Sequence, residues 1–140
     1  MTSSPAGAGQ PLDHVALVVA DLGRSAALYS ALGFTERYRE TVDDQDVEII
    51  GMRAGDSTIE LLRPLSATSP LVKFLGGKES RLHHLAYRVA DIEAELERLK
   101  RAGVRLIDER PRKGAHGNLI AFIHPSAAGD VLIEVCQPAS

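Results

Sequence analysis

Two histidines and two glutamates stand at matching places in a repeated pattern. His14-Val15-Ala16-Leu17-Val18-Val19-Ala20-Asp21 returns seventy positions later as His84-Leu85-Ala86-Tyr87-Arg88-Val89-Ala90-Asp91, and each copy is followed by an Ile-Glu pair, Ile59-Glu60 and Ile133-Glu134. A single histidine on an apolar strand is ordinarily a hydrogen-bonded, partly buried residue; its duplication makes it a candidate ligand. Strand period puts His14, Ala16 and Val18 on one face, and His84, Ala86 and Arg88 on the equivalent face of the second copy. Glu60 and Glu134 lie in Thr58 to Leu62 and Val131 to Val135, stretches too apolar to leave a carboxylate unexplained. Burying such a charge among aliphatic side chains costs several kcal/mol unless it is paired or metal-bound. Two imidazoles and two carboxylates suit Zn, Co, Mn, Ni or Fe(II), whereas the lack of thiolate and of an all-oxygen shell disfavours structural zinc and calcium. On a six-coordinate ion they leave two neighbouring positions for a bidentate substrate. The metal can then stabilise charge on a carbonyl oxygen while the adjacent carbon loses a proton.

The elements that must position these residues follow the same repeat. Gly33-Phe34 and Gly103-Val104 extend it at the same offset. Between the Asp and Gly of each copy runs a helix-like stretch, Arg24 to Leu32 and Ile92 to Ala102, closed by a glycine suited to the left-handed residue that ends many helices. In the first helix Leu28 and Leu32, with Ala27 and Ala31, form the apolar stripe expected to face the core. In the second, Ile92, Leu96 and Leu99 do so, with Glu93, Glu95, Glu97, Arg98, Lys100 and Arg101 towards water. Strand-like segments follow around Glu36 to Arg39, Val47 to Arg53 and Thr58 to Leu62, with Ala54-Gly55-Asp56-Ser57 as a hairpin turn. Their counterparts are Arg105 to Asp108, Leu119 to His124 and Asp130 to Cys136. Both halves read βαβββ, and the fold class is α+β.

With 140 residues, 44% of them hydrophobic, the chain suffices for one ordinary core or two small fused half-domains. A net charge of −3 argues against broad nucleic-acid binding, which needs a concentrated basic face. Arg110, Arg112 and Lys113, with Lys73 and Lys78, can line an entrance for a phosphate-bearing small molecule or stand as solvated surface charges. Met1 to Gly9 lacks the basic start and apolar run of a signal peptide, and no segment approaches the length of a membrane span. The lone Cys136 allows no intrachain disulfide and takes no catalytic role. The expectation is a cytoplasmic protein with no membrane partner.

Paired βαβββ units with His and Glu on their strands resemble the vicinal oxygen chelate superfamily, which includes glyoxalases, bleomycin resistance proteins and dioxygenases, from Leu12 to Gln137. Within it the chain resembles the methylmalonyl-CoA epimerase family. The segments that carry this are Leu12-Asp13-His14-Val15, Ser69-Pro70-Leu71-Val72-Lys73-Phe74-Leu75, Leu82-His83-His84-Leu85-Ala86, and the terminal run Gly114-Ala115-His116-Gly117 through Phe122-Ile123-His124-Pro125 to Val131-Leu132-Ile133-Glu134. The resemblance implies a disordered tail over 1–10 and a single domain over 11–138, with modules 11–66 and 82–137 and a linker with a short helix over 67–81. It implies curved sheets forming a metal-binding cleft, and His14, Glu60, His84 and Glu134 at the ligand positions, Glu60 standing where some members carry Gln. The cofactor expected is a divalent ion such as Co, Mn, Zn or Ni, and the expected partners are a small-molecule acyl-CoA and a second copy in a homodimer.

The reaction so implied interconverts (R)- and (S)-methylmalonyl-CoA by 1,1-proton transfer through a metal-stabilised enolate. Two-base chemistry needs a group on each side of the carbon. Glu134 serves on one side while touching the metal. Glu48 is the candidate for the other, although ungapped alignment puts Ile49 on the family's catalytic position; a bulge at Asp46 would be needed to turn Glu48 inward. His84 rather than the adjacent His83 faces the metal, because neighbouring strand residues point to opposite sides. His83 reads as structural or supporting, His124 as a turn-stabilising residue, and His116 as part of a loop near the substrate. Arg24, Arg39 and Arg53 are open as carboxylate partners. Alternatives are a glyoxalase-type isomerase, a dioxygenase, or a nonenzymatic binding protein of the same fold. Against the first stands Val18, where such glyoxalases carry arginine; against the second, a fourth protein ligand; against the third, the intact ligand set.

Overall fold

The structure is a computed structural model that describes residues 9–139. Most of the tail expected over 1–10 therefore lies outside the described residues. The chain divides into two compact units, one of His14–His83 and one running from His84 together with the segment that ends at Asp13. The division falls inside a strand rather than in the expected linker. Residues Pro11 to Asp13 join the second unit: the Arg88 amide donates to the Pro11 carbonyl at 2.7 Å, and Arg88 Nε donates to Asp13 Oδ1 at 3.0 Å.

In the first unit the elements are β1 (Leu12–Val19), α1 (Leu22–Ala31), β2 (Thr35–Val42), β3 (Val47–Ala54), β4 (Ser57–Pro64) and α2 (Pro70–Leu75). The strands lie in the order β2-β3-β4-β1, with β1 parallel to β4 and the other pairs antiparallel. The repeated aspartate starts the helix: Asp21 Oδ1 accepts the Arg24 amide at 3.0 Å, satisfying one of the orphan donors of the first turn. Gly33, at φ +95°, turns the chain out of it. Val19, Leu22, Ile50, Met52 and Leu61 form the core under α1, with Leu17, Ala26, Tyr29, Phe34 and Ile59 packed against them.

The helix face differs from the sequence expectation. Leu28 and Leu32 are 58% and 62% exposed, while Leu22, Ala26 and Tyr29 turn inward. Large apolar side chains drew the stripe to the wrong side, because the inward position at 26 is filled by a small alanine. The repeat itself carries the correct answer, since Leu22, Ala26 and Tyr29 precede Ile92, Leu96 and Leu99 by seventy positions.

In the second unit β5 (Ser80–Arg88), α3 (Ile92–Arg101), β6 (Arg112–Lys113), β7 (Leu119–Ile123) and β8 (Ile133–Gln137) follow in sequence, and the sheet order is β5-β8-β7-β6 with β5 parallel to β8. Asp91 caps α3 by accepting the Ala94 amide at 3.1 Å. The core holds Val89, Ile92, Leu96, Ala121 and Val135. Arg105 to Asp108 is not a strand. Leu106 makes one isolated bridge to Ile123, the Ile107 and Asp108 amides both donate to the Phe122 carbonyl, and the Asp108 carboxylate takes the Phe122 amide at 2.8 Å, so the segment bonds to β7 without forming a continuous ladder. The edge strand instead forms at Arg112–Lys113, after Pro111, which has no amide to donate. Each unit is nonetheless an α+β assembly of βαβββ order. Among the described residues no helix is long and apolar enough to cross a membrane.

Candidate metal centre

The parallel strand pairs place the histidines and glutamates by the same rule in each unit. In the first, β1 and β4 pair Ala16 with Glu60 and His14 with Thr58; in the second, β5 and β8 pair Ala86 with Glu134. Each histidine thus sits one same-face step from the residue opposite its glutamate. The helix-side positions Leu17, Ile59 and Leu61 pack into the core under α1, so His14 and Glu60 occupy the face turned away from that helix. Val135 does the same under α3, leaving Glu134 on the face away from it.

Both pairs close within their own units. His14 Nε2 lies 3.5 Å from Glu60 Oε1, and His84 Nε2 lies 3.3 Å from Glu134 Oε2. All four residues are deeply buried, at 4%, 5%, 6% and 2% exposure for His14, Glu60, His84 and Glu134. Buried carboxylates at that depth require compensation by a cation or by strong donors. Donor–metal bonds of about 2.0–2.2 Å put two donors on one ion about 3.0–3.5 Å apart. Each His–Glu pair has that separation, so the residues fit a divalent cation in donor type, burial and spacing. Every unit therefore presents a buried imidazole and carboxylate able to hold a metal.

The surroundings of the two carboxylates differ. In the first unit the register of β2 shifts between Glu36, opposite Met52, and Tyr38, opposite Gly51, so Arg37 is an extra residue. Such a bulge re-aims side chains. Tyr38 thereby lies over Gly51 and donates its hydroxyl to Glu60 Oε2. Arg37 Nη1 donates to Thr58 Oγ1 at 3.3 Å on the same face of β4. In the second unit the position opposite Glu134 is Phe122, whose ring meets the His84 ring edge-on at 5.3 Å between centroids. The Arg112 guanidinium lies over the Phe122 ring, 5.3 Å from its centroid, and also pairs with Asp108 at 3.4 Å. Sequence reasoning missed Tyr38, because strand alternation read without the bulge gives no reason to single it out. The adjacent pair Arg37-Tyr38 facing a lone mid-strand Gly51 is the signal that could have found it.

Glu48 is placed elsewhere. It shares the α1 side of β3 with Ile50 and Met52, and Arg63 donates to its Oε1 at 2.7 and 3.2 Å. The register of β3 against β4 runs without a break from Val47 to Ala54, and the left-handed Asp46 lies before it, so no bulge turns Glu48 round. With Arg39, Arg63 and residues 20–23 it lines a separate recess of about 450 Å³. Ile49 takes the face shared with Gly51. Among the open arginines, Arg24 pairs with Glu79 at 3.2 Å, Arg39 with Glu36 at 2.8 Å, and Arg53 donates to the Gly55 carbonyl at 3.4 Å. Arg39 holds the Glu36 carboxyl below its ordinary range.

The remaining histidines fall as their contexts suggest. His83 packs edge-on to Phe74 at 4.7 Å, and burial holds its imidazole below the ordinary histidine range. His124 ends β7: its Nδ1 accepts the Ser126 amide at 3.1 Å and lies 2.8 Å from Ser126 Oγ, a turn-stabilising arrangement. His116 adopts a left-handed conformation, φ +58°, in the loop before β7. Cys136 is buried.

Comparison with known proteins agrees with this geometry. Residues 13–122 match the model of the Glyoxalase/Bleomycin resistance protein/Dioxygenase superfamily. An ethylmalonyl-CoA/methylmalonyl-CoA epimerase of Cereibacter sphaeroides is 38% identical, covering 90% of this chain and 96% of its own. The crystal structure of methylmalonyl-CoA epimerase from Mycobacterium tuberculosis superposes with a TM-score of 0.88 at 37% identity, over 98% of this chain and 94% of that one. A methylmalonyl-CoA epimerase in complex with methylmalonyl-CoA and NH4+ superposes at 0.85 with 29% identity, over 94% and 96%.

Proposed function

Because the chain belongs to the glyoxalase/bleomycin resistance protein/dioxygenase superfamily, we propose that it is a metal-dependent epimerase interconverting (R)- and (S)-methylmalonyl-CoA. The observation that carries this is the buried His–Glu pair, built twice at the same strand register. His14, Glu60, His84 and Glu134 would together hold one divalent ion. When bound, that ion supplies Lewis-acid stabilisation of the charge that develops on the substrate's oxygens.

The chain's own residues divide the remaining work. Tyr38 orients Glu60 through its second oxygen. Glu134 is the carboxylate that takes the proton from the carbon between thioester and carboxylate on one face, and a second donor returns a proton to the opposite face to complete the inversion. The apolar neighbours Ala16, Val18 and Ala86, all fully buried, exclude water around the pairs. This reading includes a cytoplasmic location and a homodimer, the latter checked by light scattering of the purified protein.

The test is to incubate metal-loaded protein with one epimer of methylmalonyl-CoA in deuterated water, following epimer ratio and deuterium at the α-carbon. Epimerisation with exchange, abolished by chelator and by His84→Ala, is the expected result. Absence of exchange with metal demonstrably bound would reassign the scaffold to another substrate.

A further inference from the structure

We propose that Tyr38 is a positioning residue that fixes which oxygen of Glu60 ligates the metal. The inference rests on the metal reading above and concerns this chain's own hydrogen bond. The two oxygens of Glu60 are divided: Oε2 accepts the Tyr38 hydroxyl, while Oε1 is the oxygen turned to His14 Nε2, 3.5 Å away. A carboxylate otherwise has two equivalent oxygens and a freely rotating terminal torsion. Engaging one with a phenol selects the other for ligation and fixes the plane of the group, the role that hydrogen-bonding partners of metal ligands commonly play.

Three features build this contact. The extra residue Arg37 sets Tyr38 opposite Gly51. Gly51 in turn is opposite Glu60 on β4, so the phenol reaches across one strand to the carboxylate. A methyl group at Gly51 would overlap the Tyr38 ring, so glycine is what lets the ring lie flat against the strand. Arg37 ends on Thr58, two residues before Glu60, which anchors the bulge beside the contact. In the second unit the residue opposite Glu134 is Phe122 rather than a glycine.

The test measures Co²⁺ affinity by chelator competition and the visible absorption of the Co²⁺-loaded protein. Tyr38→Phe keeps the ring over Gly51 and removes only the hydroxyl. It should weaken Co²⁺ binding about 10–100-fold and change the absorption bands, with the melting temperature of the metal-free protein retained. Gly51→Ala, which displaces the ring, should produce the same spectral change. In a Glu60→Ala background Tyr38→Phe should change affinity by less than about threefold, because the effect passes through the side chain at position 60. Co²⁺ binding and spectrum unaltered by Tyr38→Phe would overturn the inference alone, as would an undiminished loss in the Glu60→Ala background. Failure of the unsubstituted protein to bind Co²⁺ would overturn the metal reading and this inference with it.

Discussion

Glu60 and Glu134 occupy matching register positions, yet one receives a phenol hydroxyl and the other faces a phenyl ring. In the proposed function these two residues, which the repeat makes look equivalent, have different tasks. Glu134→Gln should lower the epimerisation rate by about 10²–10⁴-fold, the span a positioned general base contributes, as read by solvent deuterium exchange. Glu48→Gln should stay within about threefold of the parent rate, well short of that span; a hundredfold loss would return Glu48 to the proton-transfer machinery. The two His–Glu pairs were legible in the sequence because the duplicated octet and the Ile-Glu pair that follows each copy single them out. Glu48 was not, because its side depends on whether a bulge interrupts β3. The bulge is in β2 instead, where it redirects Tyr38.

At the scale of the elements, the helices and most strands follow from the repeated interval between Asp and Gly, the glycine stops and alternation. Two misreadings have physical causes. The large side chains of Leu28 and Leu32 point to a core stripe, whereas α1 packs through a smaller residue at 26 and the ring of Tyr29. Leu28→Ala should therefore change stability by less than about 0.5 kcal/mol. Leu96→Ala, at a site only 1% exposed, should cost about 2–5 kcal/mol, and urea unfolding distinguishes the two. The stretch Arg105 to Asp108 reads as a strand from its place in the repeat, but Asp108 takes the Phe122 amide with its side chain and the segment's backbone bonds form no continuous ladder. Gly33 and Gly103 have open space where a Cβ would go, so replacing either by alanine should cost about 1 kcal/mol through backbone conformation alone.

For the whole molecule, metal occupancy should show as stability. A divalent ion at about 100 times its dissociation constant adds about 2.7 kcal/mol, and the melting temperature should rise by several degrees and fall back with chelator; His14→Ala should abolish the rise. The division of the chain was the least legible feature, because the attachment of Pro11 to Asp13 to the second unit rests on contacts with Arg88 that no local pattern announces. It has a consequence for biosynthesis. Residues 11–13 are needed by a unit whose anchoring arginine emerges only after the intervening stretch is translated, roughly 4–15 s later at 5–20 residues per second. The second unit is in effect assembled from two stretches far apart in the message, so a fragment beginning at His84 should fold poorly on a ribosome and improve when a peptide carrying Gly9 to Asp13 is supplied in trans.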